Sequence, residues 1–453
     1  KKKKTPPPQL PPEVSAVSAL SGSVGILGLW RPLGRDLTGR MNDCGTARMD
    51  CAASSRLRGD FRPRCTPRER AVLVPPPVVR SAVMTTLRAI PSEMLSAWIL
   101  WHLRIGFARL YLYFDDPTDP GIVMARGLCA MLQSRGNAPA DAIRVVPCNQ
   151  CVRQEWSTLQ LHGTCGEQAE RMVEVRQMLN CEHALRQALN DGDIDWLLHI
   201  DSDELFHIDS LDVRPHFARL HASGATSYLY PIHEGCPESA EAPNVFSAVS
   251  LFRRHPSALC DLPAPRSAQS AAWRFWMERR HGVGSHFLGS VQGKSAARVA
   301  PGCRPMSVHA FHPNGPGGIS RCWSGFPDRS SAFGESLKVV RAAGSPCVLH
   351  YISCSFAFWH AKYSLLGAFA DTKPGGAAAG GESMAGSFHA DSRDVVLAGD
   401  HKAARRMYIE QVCLVDEEEA ARQVASGVCM RVRAVQQFLT VELTRIRDIV
   451  SND

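Results

Sequence analysis

From Ser81 onward short β-rich runs alternate with helical stretches, and this alternation limits the fold more than any other feature of the chain. Ser81 to Ile90 is a mixed apolar run ending at Pro91. Over Pro91 to Leu103, Leu95, Trp98, Ile99 and Leu103 recur at helical spacing, with the proline suited to a first helical position. Leu110 to Phe114 (LYLYF) reads as a short strand stopped by Asp115-Asp116-Pro117. A helix over Asp119 to Ser134, a strand at Ile143 to Val146, a long helix around Glu167 to Leu189 and a strand at Trp196 to Ile200 follow. Strands and helices of these lengths in alternation predict an α/β fold, with a mostly parallel central sheet flanked by helices.

Composition decides what the rest of the 453 residues can be. With 45% hydrophobic and 21% charged residues, the chain is neither wholly disordered nor collagen-like, and its length allows two or three domains. The net charge of +7 suggests an acidic partner until it is located. Residues 1–80 hold 15 Lys and Arg against 6 Asp and Glu, whereas residues 81–453 hold 36 against 38. The excess therefore belongs to an N-terminal tail. Lys1 to Lys4 repel one another, Pro6 to Pro8 exclude helix, and few large apolar side chains offset the ordering entropy, so this tail is expected to be disordered. Between Arg56 and Arg70 its arginines are interleaved with Pro, Asp60 and Glu69, with Phe61 as the sole stacking group, a poor nucleic-acid surface. Val14 to Trp30 carries no charge for 17 residues and reads either as a weak membrane anchor, at the lower limit for ~30 Å of hydrocarbon, or as a flexible linker. Sixteen cysteines suit an oxidising lumen. Cys148-Asn-Gln-Cys151 has no second pair to complete a zinc site and reads as structural thiols.

Open α/β sheets bind ligands at the carboxyl ends of their strands, where the strand order reverses. Two acidic clusters stand at strand ends: Asp115-Asp116 after LYLYF, and Asp201-Ser202-Asp203-Glu204 after WLLHI. D-x-D occurs three times between Asp191 and Asp203, but a buried strand delivers only Asp201 and Asp203. Two carboxylates so placed can share a hard divalent cation and leave positions open for phosphate oxygens. The alternative is a solvated acidic turn with Asp201 capping a following helix.

The stretches Trp98 to Phe107 (WILWHLRIGF), LYLYFDD and DWLLHIDSDEL resemble glycosyltransferase family 2-like and family 92-like enzymes of GT-A fold. Further segments match in the same order: GKSAARV (Gly293 to Val299), SVHAFH (Ser307 to His312), LHYISCSFAFWHAKY (Leu349 to Tyr363) and FHADSRD (Phe388 to Asp394), so the resemblance spans about residues 82–430. It implies a GT-A-type nucleotide-diphospho-sugar transferase fold in which Asp201 and Asp203 hold Mn²⁺ or Mg²⁺ and the donor diphosphate. Asp116, with Asp115 beside it, would contact the nucleotide. His350 would be a further metal ligand, with His309 as second choice, since neutral imidazole suits Mn²⁺. Lys294, Arg298 and Lys362 lie in matching segments and would face the diphosphate. Arg176-Gln177 also resembles a family pair, without an assigned role. Family 2 enzymes often carry a lysine after His-Tyr, where this chain has Cys354.

The resemblance also implies inversion, in which an acceptor hydroxyl attacks the anomeric carbon and a carboxylate takes its proton. Glu234, after a strand at Thr226 to Pro231, is the first candidate for that base; Asp391 and Glu204 are the others. The expected organisation is a tail (1–80), a catalytic domain (81–372), a Gly/Ala-rich loop (373–386) and a C-terminal helical extension (387–453), with the stretch from Glu234 to Ala310 as pocket-shaping loops. The expected function is a metal-dependent glycosyltransferase with a nucleotide-sugar donor and a glycan or glycoconjugate acceptor. It would work on the lumenal side of a Golgi or other secretory-pathway membrane. The alternative is an inactive glycan-binding or scaffolding relative of the same fold.

Overall fold

The computed structural model describes residues 78–261, 265–280, 286–289, 292–312, 319–323, 337–340, 346–367 and 388–452. Residues 1–77, with the apolar segment 14–30, and the Gly/Ala-rich stretch 373–386 lie outside them. Four parallel strands form the heart of the first sheet: β1 (Ser81–Leu87), β2 (Arg109–Phe114), β3 (Ile143–Pro147) and β4 (Trp196–His199). Their order is β3-β2-β1-β4, so the chain steps outward from β1 to β3 and then crosses to the other side of β1. The crevice of this sheet therefore lies between the carboxyl ends of β1 and β4.

Alternation along β2 shows why the sheet is buried on both faces. Leu110, Leu112 and Phe114 join the core that includes helices α1 (Ser92–Arg104) and α2 (Gly121–Ser134). Tyr111 and Tyr113 point the other way, toward Val175, Leu179 and Ala184 of a long helix beginning at Val173. A strand with period-2 side chains and apolar groups on both sides needs a helical layer on each. Each large side chain so buried contributes about 1.5–3 kcal/mol.

In chain order the remaining short elements are helices α3 (Gln150–Trp156), α4 (His162–Cys165) and α5 (Val173–Asp191), strand β5 (Glu204–His207), helix α6 (Arg214–Ala222), strands β6 (Ala225–Tyr230) and β7 (Ile232–Gly235), helix α7 (Val245–Ala248), strand β8 (Leu251–Arg253), helix α8 (Arg266–Arg279) and strand β9 (Lys294–Arg298). Then come β10 (Ile319–Trp323), β11 (Leu337–Val340) and β12 (Cys347–His350). Among the described residues the first sheet has eight strands in the order β11-β10-β6-β9-β4-β1-β2-β3, and of these β9 alone runs against its two neighbours, β4 and β6. The Glu234 to Ala310 stretch, read from sequence as loops, thus holds β8, α8 and β9. The β9 residues Lys-Ser-Ala-Ala-Arg offer no apolar alternation by which to recognise a strand.

After a four-residue connection (200–203) at its carboxyl end, β4 hands the chain to the edge of a second sheet. Its order is β13-β8-β7-β12-β5, with β13 at Cys429–Arg431. The acidic turn leads into a strand, so Asp201 caps no helix. Helix α1 covers the outer edge of β5: Trp98 Nε1 donates to Glu204 O (2.9 Å) and Trp101 Nε1 to Phe206 O (2.7 Å). His102 Nδ1 donates to Trp98 O (2.8 Å), leaving Nε2 to accept the Phe206 N–H (3.2 Å). Burial pushes the His102 pKa down to about 3, which keeps this acceptor neutral. Three side chains of one helix thereby satisfy a sheet edge that would otherwise be open.

Helices α9 (Phe356–Leu366), α10 (Phe388–Leu397) and α11 (His401–Gln411) share a core around Trp359, Tyr363, Phe388 and Tyr408. Helix α12 (Glu417–Ala425) precedes β13, and in α13 (Arg433–Asn452) Val435 and Leu439 join the main core beside α1. Among the described residues no helix is long and apolar enough to cross a membrane.

Candidate active site

One row of side chains crosses the whole second sheet. The registers pair Cys429 with Arg253, Arg253 with Glu234, Glu234 with His350, and His350 with Glu204. Directly paired residues share a face, so a cation, an anion, an imidazole and an anion stand in sequence on adjacent strands. All four are buried. Burial works against charge on His350, but Asp203, Glu204 and Glu234 outweigh it and hold its pKa above the ordinary value. Burial raises the Glu204 pKa to about 7, against the pull of Lys294.

At the Glu204 end the row meets the turn after β4. Lys294 Nζ lies 2.6 Å from Asp201 Oδ2 and 3.3 Å from Glu204 Oε2, and donates to Val308 O at 3.5 Å. Gln177 Nε2 donates to Asp201 Oδ1 (3.0 Å), and the Asp201 N–H to Glu204 Oε2 (2.7 Å). The strand β9 makes this meeting: its register of Ala296 on Leu198 carries Lys294 to the carboxyl end of β4. Burial opposes the Lys294 charge, yet Asp201 and Glu204 together raise its pKa. Asp201 is held below the usual carboxylate range, since Lys294 overcomes the effect of burial.

Asp203 and His350 face each other across the turn, with His350 Nε2 3.6 Å from Asp203 Oδ2. Neither ring nitrogen of His350 has a hydrogen-bond partner among the described residues; the same holds for Glu204 Oε1 and Lys362 Nζ. The Lys362 side chain comes from α9 and is 94% buried, and burial lowers its pKa against the attraction of Asp203, Asp201, Glu204 and Glu234. Buried polar atoms without a protein partner are costly and are satisfied by water, an ion or a ligand. Oxygen and imidazole donors fit Mn²⁺ or Mg²⁺ in chemistry. No set of three His, Cys, Asp or Glu side chains among the described residues is already arranged around one ion position.

Several expected participants lie elsewhere or are engaged. Both Glu234 oxygens accept backbone N–H groups, from Leu288 (2.7 Å) and Gly289 (2.6 Å), with Arg253 Nε 4.0 Å away. Arg298 sits at the opposite end of β9, paired with Trp196 and 3.3 Å from His221 Nε2, about 13 Å along the strand from Lys294. Asp391 is in the first turn of α10. His309 is beside Lys294, its Nδ1 donating to Gly293 O (2.8 Å), and burial drives its pKa down to about 3. Cys354 is buried with its Sγ against the α-carbon of Gly235, so it offers no cation to a phosphate. The Cys148 and Cys151 thiols are both free.

The other strand end is built around Asp115. Arg176 grips it through two hydrogen bonds of 2.7 and 2.9 Å, while Arg153 and Arg88 approach to 3.8 and 3.9 Å. Asp116 is exposed, its Oδ1 accepting the Thr118 N–H and hydroxyl, and the Thr118 contacts lower its pKa. The unassigned pair Arg176-Gln177 thus has a role: adjacent residues of α5 hold Asp115 and Asp201 at the ends of β2 and β4, the strands on either side of β1. Two consecutive polar residues set between the apolar Val175 and Met178-Leu179 of an amphipathic helix were the available signal. Arg88 and Arg153 carry no such signal, and only the fold brings them to Asp115.

No family model matches the chain. The chain is similar to two glycosyltransferase-like proteins. Both come from Arabidopsis thaliana: one is 25% identical over 233 residues, which cover 51% of this chain and 48% of the relative. The other is 24% identical over 233 residues, covering 51% of this chain and 42% of the relative. The chain therefore spans less than half the length of either. A mixed α/β architecture of two sheets and thirteen helices among the described residues fits a glycosyltransferase-like fold.

Proposed function

We propose that this chain is a metal-dependent glycosyltransferase that moves a sugar from a nucleotide-diphosphate donor to a hydroxyl acceptor with inversion. The observation that carries this reading is the convergence of Asp203, His350, Glu204 and the unpartnered Lys362 at the carboxyl end of β4, beside the crevice of the first sheet. A buried ammonium lacking a hydrogen-bond partner is suited to an anion, and a diphosphate supplies one. Asp203 and His350 would hold Mn²⁺ or Mg²⁺, which supplies charge neutralisation for the departing diphosphate. Arg88 and Arg153, which approach Asp115, and the adjacent Asp116 would receive the nucleotide. Asp115 keeps Arg176 in place.

In the transfer the acceptor oxygen forms a bond to the anomeric carbon as the bond from that carbon to the diphosphate oxygen breaks. The bonding pair leaves with the nucleoside diphosphate, and the acceptor proton passes to a carboxylate. Of the three candidate carboxylates, Glu234 is committed to the Leu288 and Gly289 backbone and Asp391 stands on α10. Glu204 keeps Oε1 without a hydrogen-bond partner, and we assign it the proton.

The test is turnover or hydrolysis of a panel of UDP-sugars with Mn²⁺. Asp203→Ala should lose at least about 10²-fold in rate, the scale of a removed transition-state contact. Activity that survives this change would sink the assignment. Calorimetry showing glycan binding without metal-dependent affinity for nucleotide sugars would favour the inactive, glycan-binding relative.

A further inference from the structure

Both oxygens of Asp201, first of the two strand-borne carboxylates, already accept from the protein's own groups, one of them a buried cation. A divalent cation would need an Asp201 oxygen at about 2.0–2.6 Å with a lone pair facing it. Gln177 takes Oδ1 and Lys294 takes Oδ2. The three acceptors around Lys294 Nζ, namely Asp201 Oδ2, Glu204 Oε2 and Val308 O, match the three donors of an ammonium. Its side chain is 99% buried, and β9 is hydrogen-bonded on both edges, to β4 and β6. Withdrawing Nζ would leave two buried carboxylates facing each other, a change that is strongly unfavourable.

We propose that Lys294 is a resident cation in this site, occupying the position at Asp201 and Glu204 that a metal would otherwise take, so that Asp201 is not a metal ligand. The proposal rests on the metal-dependent reading only for the identity of the remaining ligands, Asp203 and His350. Lys294 and Lys362 then have separate tasks. The first is paired permanently with the protein's own carboxylates, and the second is left for the donor.

The experiment measures Mn²⁺ binding to the full chain by electron paramagnetic resonance, first without nucleotide and then with UDP, alongside circular dichroism to check folding. Asp201→Asn should leave Mn²⁺ affinity within about twofold of the parent, whereas Asp203→Asn should weaken it at least tenfold. Lys294→Met, which bares Asp201 and Glu204, should bind Mn²⁺ at least tenfold more tightly or create a site. A tenfold loss in Asp201→Asn overturns the proposal, as does unchanged or weaker binding in Lys294→Met. If the parent binds no Mn²⁺ even after UDP is added, the metal-dependent reading fails. A site gained in Lys294→Met would then still support the resident cation, and none gained would overturn it. Should Lys294→Met not fold, Asp201→Asn decides where the parent binds Mn²⁺. Where the parent does not, Lys294→Gln takes the place of Lys294→Met: a gained site supports the resident cation and the lack of one overturns it.

Discussion

Two D-x-D tripeptides flank the four-residue strand β4, and they do opposite things. Before the strand, Asp191 and Asp193 close on Arg109 at 2.8–3.1 Å, and Arg144 and Arg80 add contacts of 2.6 and 3.1 Å. Asp141 pairs with the same guanidinium, and Asp195 accepts the Arg80 N–H at 2.8 Å. Every member of that group has a fixed partner, at the amino ends of the parallel strands. After the strand, Asp201 is satisfied in the same manner by Lys294, but the surrounding His350, Glu204 and Lys362 retain atoms without partners among the described residues. The tripeptide itself has no chemistry of its own. Completeness of the surrounding pairs separates a cluster that holds strands together from one that, under the proposed function, would take a ligand.

The sharpest way to break this contrast is to remove the central cation from each end. Arg109→Met removes the shared partner of three part-exposed carboxylates, two of which keep Arg144 or Arg80, and a loss of about 1–3 kcal/mol is expected. Urea unfolding measures it, and the turnover of the protein that remains folded should be unchanged. A variant with parental stability would show that the amino-end cluster is incidental. Lys362→Met should behave in reverse: turnover falls about 10²-fold, while stability does not fall, because an unpartnered buried ammonium is removed. A Lys362→Met protein that loses stability and keeps its rate would reverse the roles assigned to the two ends.

The smallest effect is a pH dependence confined to the amino end. The Arg109 hydrogen bond holds the Asp141 carboxyl below its ordinary value. The unfolded chain then binds the proton more readily, so this contribution is present above about pH 4 and is lost as the pH falls through the lowered value. Urea midpoints between pH 5 and pH 2 should decline more steeply for the parent than for Asp141→Asn. Parallel declines would count against the pairing.

The parts of this molecule that sequence alone made legible are those in which local pattern and tertiary role coincide. LYLYF and WLLHI are short, apolar and bounded by acidic turns, and both are buried parallel strands. The helix read over Glu167 to Leu189 begins at Val173, since its first turn breaks into shorter pieces. Asp201 and Asp203 were recognisable because a strand delivers them. Their partners were not. Lys294 reaches Asp201 from 93 positions away through a strand of small residues, and its task as an internal counter-ion has no local signature. Position after a strand makes Glu234 the first candidate for a base; the backbone of Leu288 and Gly289, which claims both its oxygens, is more than fifty residues distant.

The row across the second sheet has a consequence for how reliably the protein is made. Glu204, Glu234, Arg253 and His350 belong to four strands drawn from segments spread over some 150 positions, and they face one another only in a single register. Shifting β12 by one residue would turn His350 to the opposite face and replace it with Leu349 or Tyr351. Such a product could retain most of its hydrogen-bonded strands and still be dead. Under the proposed function, activity would depend on strand alignment, and specific activity would fall with the fraction of chains paired out of register.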